Sequence, residues 1–418
     1  MSSAAPLPAP PPPLAPRLAW AVLLALASGF TLSQAYRTVA SIMGPPLAAE
    51  LALTPQQLGL WAAAYHFSFG LMQLVMGVSI DLFGVRRTIL AAFPMAVLGA
   101  ALSALAPHYG LLLLGQMLIG TGCAPAFLVC TVFIARHFAP QRFTALSGLV
   151  MSISGVGVLA TASPLAWLIE LSSWRWGFGV LGALSLASWL AMALLVREPA
   201  PSHQASAPRP APLQALRELL GLFALPHTAG LVAYAAVAYA GFITLRGLWL
   251  GPLLIERHGF SLVQSGHVAF AMTLASMVSP ALFGRLDPGG ARRVRWLLAF
   301  AVAAAALLAL MGLARSDWVD VAFAVAYGAL SGYGVLQYGY VRDAYPEAVR
   351  GRALSLFTMA MFLGIALMQW LTGIVASLAQ AAGWEPFRSV LLAMAALLLA
   401  GAWAFWRLPR AALPVAGR

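Results

Sequence analysis

Apolar runs long enough to cross a bilayer recur along almost the whole chain. A transmembrane helix needs about 20 mainly apolar residues, and only 9% of the 418 residues are charged, against about 25% in soluble proteins. Most of the surface must therefore face lipid. The sequence predicts an all-α polytopic membrane protein with twelve transmembrane helices, near residues 18–48, 55–82, 87–106, 109–136, 143–171, 175–196, 226–256, 261–284, 294–314, 318–341, 352–379 and 388–407.

One polar stretch divides these runs into two groups of six. Residues 197–223 have the composition of a cytoplasmic linker, rich in Pro, Ala and Ser over its first part. We therefore expect one six-helix bundle over residues 17–196 and a second over 224–418. Residues 1–16 carry no charged side chain, which predicts a disordered cytoplasmic tail rather than a secretory signal.

The basic residues are distributed unevenly among the loops. All 24 are arginines, and eighteen fall on the side that holds both termini. By the positive-inside rule, this predicts a multi-pass protein of the bacterial inner membrane with both termini cytoplasmic. The net charge of +12 then reflects orientation in the bilayer rather than nucleic-acid binding. The four arginines in the opposite loops are Arg175, Arg257, Arg315 and Arg388.

Short motifs of the first half return in the second half at a nearly constant distance of about 207 residues. Such a repeat indicates two similar bundles. Because each half has an even number of spans, the repeats are parallel and related by an axis along the membrane normal. The matching positions are Gly44 with Gly251, Gln57 with Gln264, Asp81 with Asp287, Arg87 with Arg293, and Ala145 with Ala353.

The loop between the second and third spans carries a recognisable motif, Gly77-Val-Ser-Ile-Asp81-Leu-Phe-Gly84-Val-Arg86-Arg87. It resembles the G-x-x-x-D-x-x-G-x-R-R signature of the major facilitator superfamily, and a weaker copy follows the eighth span. The resemblance implies the major facilitator fold of two pseudo-symmetric six-helix bundles. It also implies a gating role, in which the Asp81 carboxylate pairs with arginine or faces the positive end of a helix.

The stretch from Tyr36 to Arg87 is similar to the anion:cation symporter branch of that superfamily. This resemblance implies substrate binding by Arg37. Two features depart from the branch: Tyr36 stands where it commonly has Asp, and the fourth span lacks its Glu, so its coupling mechanism does not carry over. The matching positions are Arg37, Pro46, Leu47, Glu50, Leu51, Leu53, Gln57, Gly59, Gln73, Gly77 and Asp81.

Two arginines, Arg37 and Arg246, are predicted inside the membrane on symmetry-related helices. Charges at that depth are costly and point to function. The twelve acidic residues fall at span ends or in loops, so neither arginine has an evident carboxylate partner. A bound anion would supply one, since guanidinium binds carboxylate in a bidentate way. We therefore expect both to point into one central cavity. The alternative is pairing with backbone carbonyls or reaching outward to the interface.

Other polar and aromatic side chains are predicted at a similar depth. His66 is the best titratable candidate, because imidazole changes charge near neutral pH. A packing histidine that is hydrogen-bonded to a neighbour is an equal alternative. The remaining candidates for substrate binding are Tyr36, Tyr65, Gln73, Trp249, Gln337 and Gln369. For each of these, helix packing is the competing interpretation.

Together these features predict a monomeric secondary active transporter of a small organic anion such as a carboxylate, working by alternating access with proton coupling. A drug or metabolite efflux antiporter is the alternative, although no mid-membrane carboxylate favours it. A membrane receptor or enzyme is a remote third. No nucleophile motif, metal pair or nucleotide loop is evident, so we expect no catalytic residue, metal or cofactor. Cys123 and Cys130 lie too far apart on one helix for a disulfide.

Overall fold

The computed structural model describes residues 15–197, 217 and 220–411, with the exception of five side chains in these ranges. The predicted tail over residues 1–14, most of the linker and residues 412–418 lie outside the described residues. The described part is helical throughout and contains no strand. The five excepted side chains are Leu74, Asp81, Pro140, Thr144 and Ala348.

The first half consists of six spans. Spans 2 and 3 form one continuous helical run, but Gly84 has φ 81° and ψ 174°, so two helices meet there. This left-handed conformation suits glycine, which has no Cβ. The helices are Pro16–Tyr36 and Ala40–Leu51 (span 1), Pro55–Ala104 (spans 2 and 3), Tyr109–Cys123 and Ala126–His137 (span 4), Phe143–Ala160 and Ser163–Leu171 (span 5), and Trp174–Leu195 (span 6).

The second half repeats this arrangement. Span 7 alternates between α-helical and π-helical segments, and span 10 contains a 3₁₀ segment. The helices are Thr228–Thr244, Leu245–Trp249, Leu250–Pro252 and Leu253–Arg257 (span 7), Leu262–Arg285 (span 8), Gly290–Leu313 (span 9), Asp317–Leu330, Ser331–Gly334 and Val335–Ala344 (span 10), Glu347–Ala381 (span 11) and Pro386–Arg407 (span 12).

Eleven helices in the described part of the chain are long and apolar enough to cross a membrane, judged by length and composition. Span 2 is not among them, although it is helical over its predicted range. The polytopic all-α fold predicted from the apolar runs is thus confirmed. Cys123 and Cys130 are both buried and free, as their spacing predicts.

The two halves pack closely at one end of the bundle, which we call the sealed end; it holds the loops near residues 53, 172, 259 and 383. The backbone N–H of Gly251 donates to Ser41 Oγ at 3.0 Å, and that of Gln56 donates to Ser377 Oγ at 2.9 Å. A Cβ built on Gly251 would lie 1.7 Å from the carbonyl oxygen of Ser41. Spans 1 and 7 therefore meet backbone to backbone.

The other end of the bundle, which we call the basic end, holds the loops near residues 84, 140, 288 and 346. Several glycines on the helices near this end have open space around them. No described atom lies within 4 Å of a Cβ built on Gly77, Gly148, Gly284 or Gly351. These four glycines therefore differ from Gly251, whose added Cβ would meet the backbone of the other half.

An ion pair at the sealed end ties the first span of each half to its sixth span. In the first half, Glu50 accepts hydrogen bonds from Arg175 and from Trp174 Nε1, and these bonds hold the pKa of Glu50 below its usual value. In the second half, Arg257 donates to Glu385 Oε2 at 2.9 Å. Positions 50 and 257 are related by the repeat, so the pair recurs with its charges exchanged.

Arg257 also pairs with Asp320 in span 10, and this second contact is buried. The Arg257–Asp320 distance is 3.0 Å and the His258 Nε2–Asp320 distance is 2.7 Å, and the Asp320 side chain is fully buried. Breaking a buried pair costs about 3–5 kcal/mol, whereas exposed pairs contribute at most about 1 kcal/mol. Side chains of the Glu50–Arg175 pair are 45% and 36% exposed.

We therefore expect Asp320→Ala to lower the free energy of unfolding by about 3–5 kcal/mol, and Glu50→Ala by at most about 1 kcal/mol. Thermal unfolding of the purified protein in detergent, followed by circular dichroism, measures both. Equal shifts of the unfolding midpoint in the two variants would contradict this assignment of the buried and exposed pairs.

Candidate functional site

Five spans lose regular α-helical geometry near their middle. Span 1 is interrupted at residues 37–39, span 4 at 124–125 and span 5 at 161–162, while span 7 is π-helical over 245–249 and span 10 is 3₁₀ over 331–334. The breaks of spans 1 and 7, and those of spans 4 and 10, are related by the repeat. π-Helical segments occur often at functional sites, and discontinuous membrane helices form transporter binding sites. The predicted intramembrane arginines lie in two of these breaks.

Arg37 begins the break in span 1, and its guanidinium is enclosed by aromatic rings. The guanidinium carbon lies 4.6 Å from the ring centre of Phe69, 4.8 Å from that of Phe362 and 6.0 Å from that of Phe30. The residue is only 8% exposed. Rings at this distance attract the cation through their π faces. Phe362 belongs to span 11, so both halves hold Arg37.

The aromatic rings do not satisfy the donors of this guanidinium. The Nε of Arg37 is buried and has no hydrogen-bond partner. In the described part of the chain, no ion pair joins Arg37 to a carboxylate. The hydroxyls of Tyr65 and Tyr239 come within hydrogen-bonding reach of its guanidinium, but a hydroxyl supplies no counter-charge. Arg37 is thus a buried positive charge whose Nε–H donor has no acceptor.

His66 and Gln369 meet across the two halves beside Arg37. The Nδ1 of His66 lies 3.1 Å from Gln369 Oε1 and 3.3 Å from the carbonyl oxygen of Ala62. The Nε2 atoms of both side chains are buried without a partner. The His66 ring stacks on Phe362 at 6.4 Å between centres. We call Arg37, His66, Phe69, Phe362 and Gln369 the central cluster.

Arg246 points elsewhere. It is fully buried, and its Nε–H donates to Thr273 Oγ1 of span 8 at 2.9 Å. Its Nη2 donates to the carbonyl oxygen of Val158 in span 5 at 3.2 Å, and its Nη1 has no partner. One guanidinium group of the predicted pair therefore binds a backbone carbonyl across the halves, which was the alternative interpretation.

The expectation of one cavity shared by both arginines is not met, and the pseudo-symmetry explains why. The axis that relates the halves exchanges span 2 with span 8 and span 11 with span 5. Arg37 lies between spans 2 and 11, so its counterpart Arg246 must lie between spans 8 and 5. Equivalent side chains occupy equivalent seams rather than converging. The repeat also relates His66 to Thr273 and Gln369 to Thr161.

The remaining predicted site residues are placed in different surroundings. The hydroxyl of Tyr36 contacts Ser185 Oγ in span 6 at 3.0 Å, inside the first half and away from the second. Tyr65 donates to the carbonyl oxygen of Ser33 at 2.9 Å and faces Arg37. Gln73 donates to the carbonyl oxygen of Ala124, at the break in span 4. Only Tyr65 of these lies beside the central cluster.

Two further predicted residues lie in the second half. Trp249 Nε1 donates to Thr372 Oγ1 of span 11 at 2.9 Å, and its ring lines a cavity of about 310 Å³ at the sealed end, together with Leu58 and Phe387. Gln337 is buried in span 10, and its Oε1 has no partner. Neither makes a described contact with the central cluster.

The loop motif at the basic end anchors span 3 to span 6. Arg86 donates from Nε to the carbonyl oxygen of Val196 at 2.6 Å and from Nη2 to that of Ala193. Arg87 is exposed. The side chain of Asp81 lies outside the described residues, so the predicted pairing of its carboxylate stays a prediction.

The second copy of the motif forms an ion-pair network. Asp287 accepts from Arg293 at 2.7 Å and from the N–H of Gly289 at 3.0 Å. Partial burial alone would raise the pKa of Asp287, but these bonds outweigh it and hold the pKa below its usual value. Arg293 also bonds Asp343 in span 10, so the network ties spans 9 and 10 together.

Sequence reasoning missed the aromatic part of the site. Phe69 follows His66 by three residues, and Phe362 precedes Gln369 by seven, so each shares a helix face with a predicted polar residue. That spacing was a usable signal. Tyr239 lies seven residues before Arg246 but faces Arg37, and no pattern within span 7 alone predicts that contact.

The sequence is similar to a known family and to several transporters. The sequence model of the Major Facilitator Superfamily matches residues 25–367. The chain is 23% identical over 256 residues to the probable sulfoacetate transporter SauU of Cupriavidus necator, covering 59% of this chain and 60% of that protein. It is 25% identical over 185 residues to the hexuronate transporter of Escherichia coli K12, covering 44% and 42%. The Fujikurins efflux protein of Gibberella fujikuroi is 28% identical over 279 residues, covering 64% and 55%.

The chain thus spans about 60% or less of the length of each of these relatives. Solved structures match over nearly the whole chain. The D-xylose-proton symporter has a TM-score of 0.74 at 15% identity and covers 94% of this chain and 98% of that one. A bacterial homolog to the human lysosomal transporter Spinster, in an inward-facing and occupied conformation, has a TM-score of 0.72 at 17% identity, covering 92% and 95%. These likenesses show the fold.

Proposed function

The chain belongs to the Major Facilitator Superfamily, and on that premise we propose that the cargo of this secondary transporter is a small organic anion. The observation that carries the proposal is Arg37. Its guanidinium is buried between the two halves and contacts no counter-ion among the described residues. Its Nε–H donor has no hydrogen-bond partner. A carboxylate or sulfonate would supply both the charge and the acceptors.

The energetics of burial favour this interpretation. An unpaired charge taken out of water costs several kcal/mol, and charged residues inside membranes are rare and mark substrate or ion pathways by default. Phenyl rings surround the guanidinium carbon at 4.6–6.0 Å, while hydrogen bonds form at its N–H groups. Lysine would offer only a point charge, whereas arginine offers a fork that matches a planar or tetrahedral anion.

The names of two relatives point in the same direction. Sulfoacetate and hexuronate, the cargoes in the names of the Cupriavidus and Escherichia transporters, are both organic acids. The efflux alternative has a specific observation in its favour as well, since the Fujikurins efflux protein is also similar. Both directions of transport would use Arg37, so the alternatives differ in direction and cargo size.

We place the basic end in the cytoplasm of a bacterial inner membrane, because arginines concentrate in its loops. In that orientation both termini are cytoplasmic, and the sealed end faces outward. Coupling to a proton gradient is part of the proposal. His66 is the one side chain of the central cluster whose type, imidazole, has an unperturbed pKa near neutral pH, so it is the residue to which the proposal assigns the coupled proton. Asp81 and its neighbours would gate the cytoplasmic end, and the working unit would be the monomer.

Uptake into proteoliposomes tests this proposal. Labelled small carboxylates and sulfonates are offered with and without an imposed proton gradient, and each is compared with its uncharged amide. We expect at least one anion to accumulate, its amide not to be transported, and accumulation to rise when the outside is acidic. Transport of cations or neutral amphiphiles, with no anion accepted, would overturn the proposal in favour of efflux of other cargo.

A further inference from the structure

We infer that His66 is a specificity-determining residue whose Nε2 accepts a hydrogen bond from the cargo, so that the preferred anion carries a hydroxyl group close to its charged group. This inference rests on the proposed function and narrows it from organic anions to hydroxylated ones. It follows from the tautomer of the His66 ring and from three buried atoms that have no hydrogen-bond partner, Arg37 Nε, His66 Nε2 and Gln369 Nε2.

The tautomer of His66 is fixed by its surroundings. The Nδ1 atom lies within hydrogen-bond distance of the carbonyl oxygen of Ala62, 3.3 Å away in the same helix. A backbone carbonyl oxygen only accepts hydrogen bonds, so Nδ1 carries the proton of the neutral ring. The Nε2 atom then carries a lone pair and acts as an acceptor.

The donor at Nδ1 of His66 also orients the amide of Gln369. Because Nδ1 of His66 is a donor, the amide atom 3.1 Å away must be the oxygen Oε1. The amide nitrogen of Gln369 is therefore turned away from His66 and free to donate. It has no partner in the structure, and the side chain is fully buried. Without the Ala62 carbonyl, the orientation of this amide would be ambiguous.

The central cluster thus presents a defined set of unmet hydrogen-bond positions: donors at Arg37 Nε and Gln369 Nε2, and an acceptor at His66 Nε2. Buried polar atoms are nearly always paired. A simple carboxylate has only acceptors, so it would satisfy the two donors and leave His66 Nε2 without a partner. A hydroxyl group donates and accepts at once, and would complete the set.

A packing role for His66 accounts for less of the geometry. A packing histidine would be expected to have both ring nitrogens satisfied, or to present its unused nitrogen to water. Here Nδ1 has two acceptors within reach, while Nε2 is buried with none. The ring also stacks on Phe362 and lies edge-on to Tyr65, so its orientation is fixed by neighbours on both sides. The unused acceptor therefore has a constant position.

The test compares cargo pairs that differ only by a hydroxyl group: glycolate with acetate, lactate with propionate, and isethionate with ethanesulfonate. Uptake is measured in proteoliposomes at pH 8, where an imidazole with an ordinary pKa is neutral. We expect the wild-type protein to prefer the hydroxylated member of at least one pair by about tenfold or more in kcat/KM, because a site built to bind a hydroxyl discriminates against its absence.

Two variants of His66 test the roles of its two ring nitrogens separately. His66→Asn places an amide nitrogen near Nδ1, so it keeps a donor for Gln369 but loses the acceptor at Nε2. His66→Gln places an amide oxygen near Nε2 and restores an acceptor there. We expect the preference to fall to about onefold in the Asn variant and to recover in part in the Gln variant. If the Asn variant binds but does not transport, competition between the paired anions for binding gives the same ratio.

The outcomes are distinguishable. Anion uptake by the wild-type protein without any preference for the hydroxylated members would overturn the inference and leave the proposed function standing. A preference that survives in His66→Asn would overturn the inference as well, because another group would then bind the hydroxyl of the cargo. Failure to transport any anion would overturn the proposed function, and the inference with it.

Discussion

Replacing Arg37 with alanine is expected to reduce anion transport by about 30-fold to several thousandfold in kcat/KM. The estimate follows from the cost of removing one partner of a buried charged pair, about 2–5 kcal/mol, at about 1.4 kcal/mol for each factor of ten. Arg37→Lys should recover only part of the loss, because an ammonium group keeps the charge but not the fork. Uptake kinetics in proteoliposomes measure both variants.

Arg246→Ala is the matched comparison, since it removes the same group from the related seam. Its guanidinium contacts Thr273 and the Val158 carbonyl oxygen, so we expect a change in turnover with little change in the apparent affinity for the cargo. Thermal unfolding in detergent verifies that each variant is folded. Unaltered KM and turnover in a folded Arg37→Ala protein would show that the anion binds elsewhere.

Gly251→Ala is expected to prevent closure of the sealed end. The added Cβ would stand 1.7 Å from the carbonyl oxygen of Ser41, and overpacking of a tight contact costs about 1–3 kcal/mol. A penalty of that size lowers the population of the sealed state relative to the opened one by about 5-fold to 150-fold. Transport should fall accordingly, because alternating access requires both states.

Spin labels at Leu105 and Trp384, exposed positions of the two halves at the sealed end, report this shift as a longer interlabel distance in double electron–electron resonance. Cys123→Ala and Cys130→Ala remove the native cysteines, so that labels attach only at the two chosen positions. Gly284→Ala is the control, since open space surrounds it, and it should leave the distance distribution as in the wild type. An unchanged distribution in Gly251→Ala would show that the contact yields without opening the halves.

The repeat made much of this architecture predictable. Its offset of about 207 residues relates span 7 to span 1, and the apolar runs locate the helices of the described part of the chain. Arg37 was predictable for the same reason, as a charge inside a span without a carboxylate nearby. These features depend on local composition and spacing, which a sequence records directly.

Side-chain directions in the centre were not predictable in the same way. Whether Arg37 and Arg246 converge or separate depends on how far each helix is rotated about its axis. The π-helical turns around Arg246 change that rotation. The contacts of Phe362 and Tyr239 with Arg37 join residues more than 200 positions apart. No single-helix periodicity encodes such contacts.

The exchanged charges at the sealed end bear on how the chain assembles in the membrane. Because the two halves are similar, a newly inserted first half has a related but incorrect set of partners in the second half. A first span packed against span 12 would bring Glu50 to Glu385, and a seventh span packed against span 6 would bring Arg257 to Arg175. Both errors juxtapose like charges, whereas the native pairs attract. The order of charges in each pair therefore favours contacts between helices of the same half over contacts with the other half.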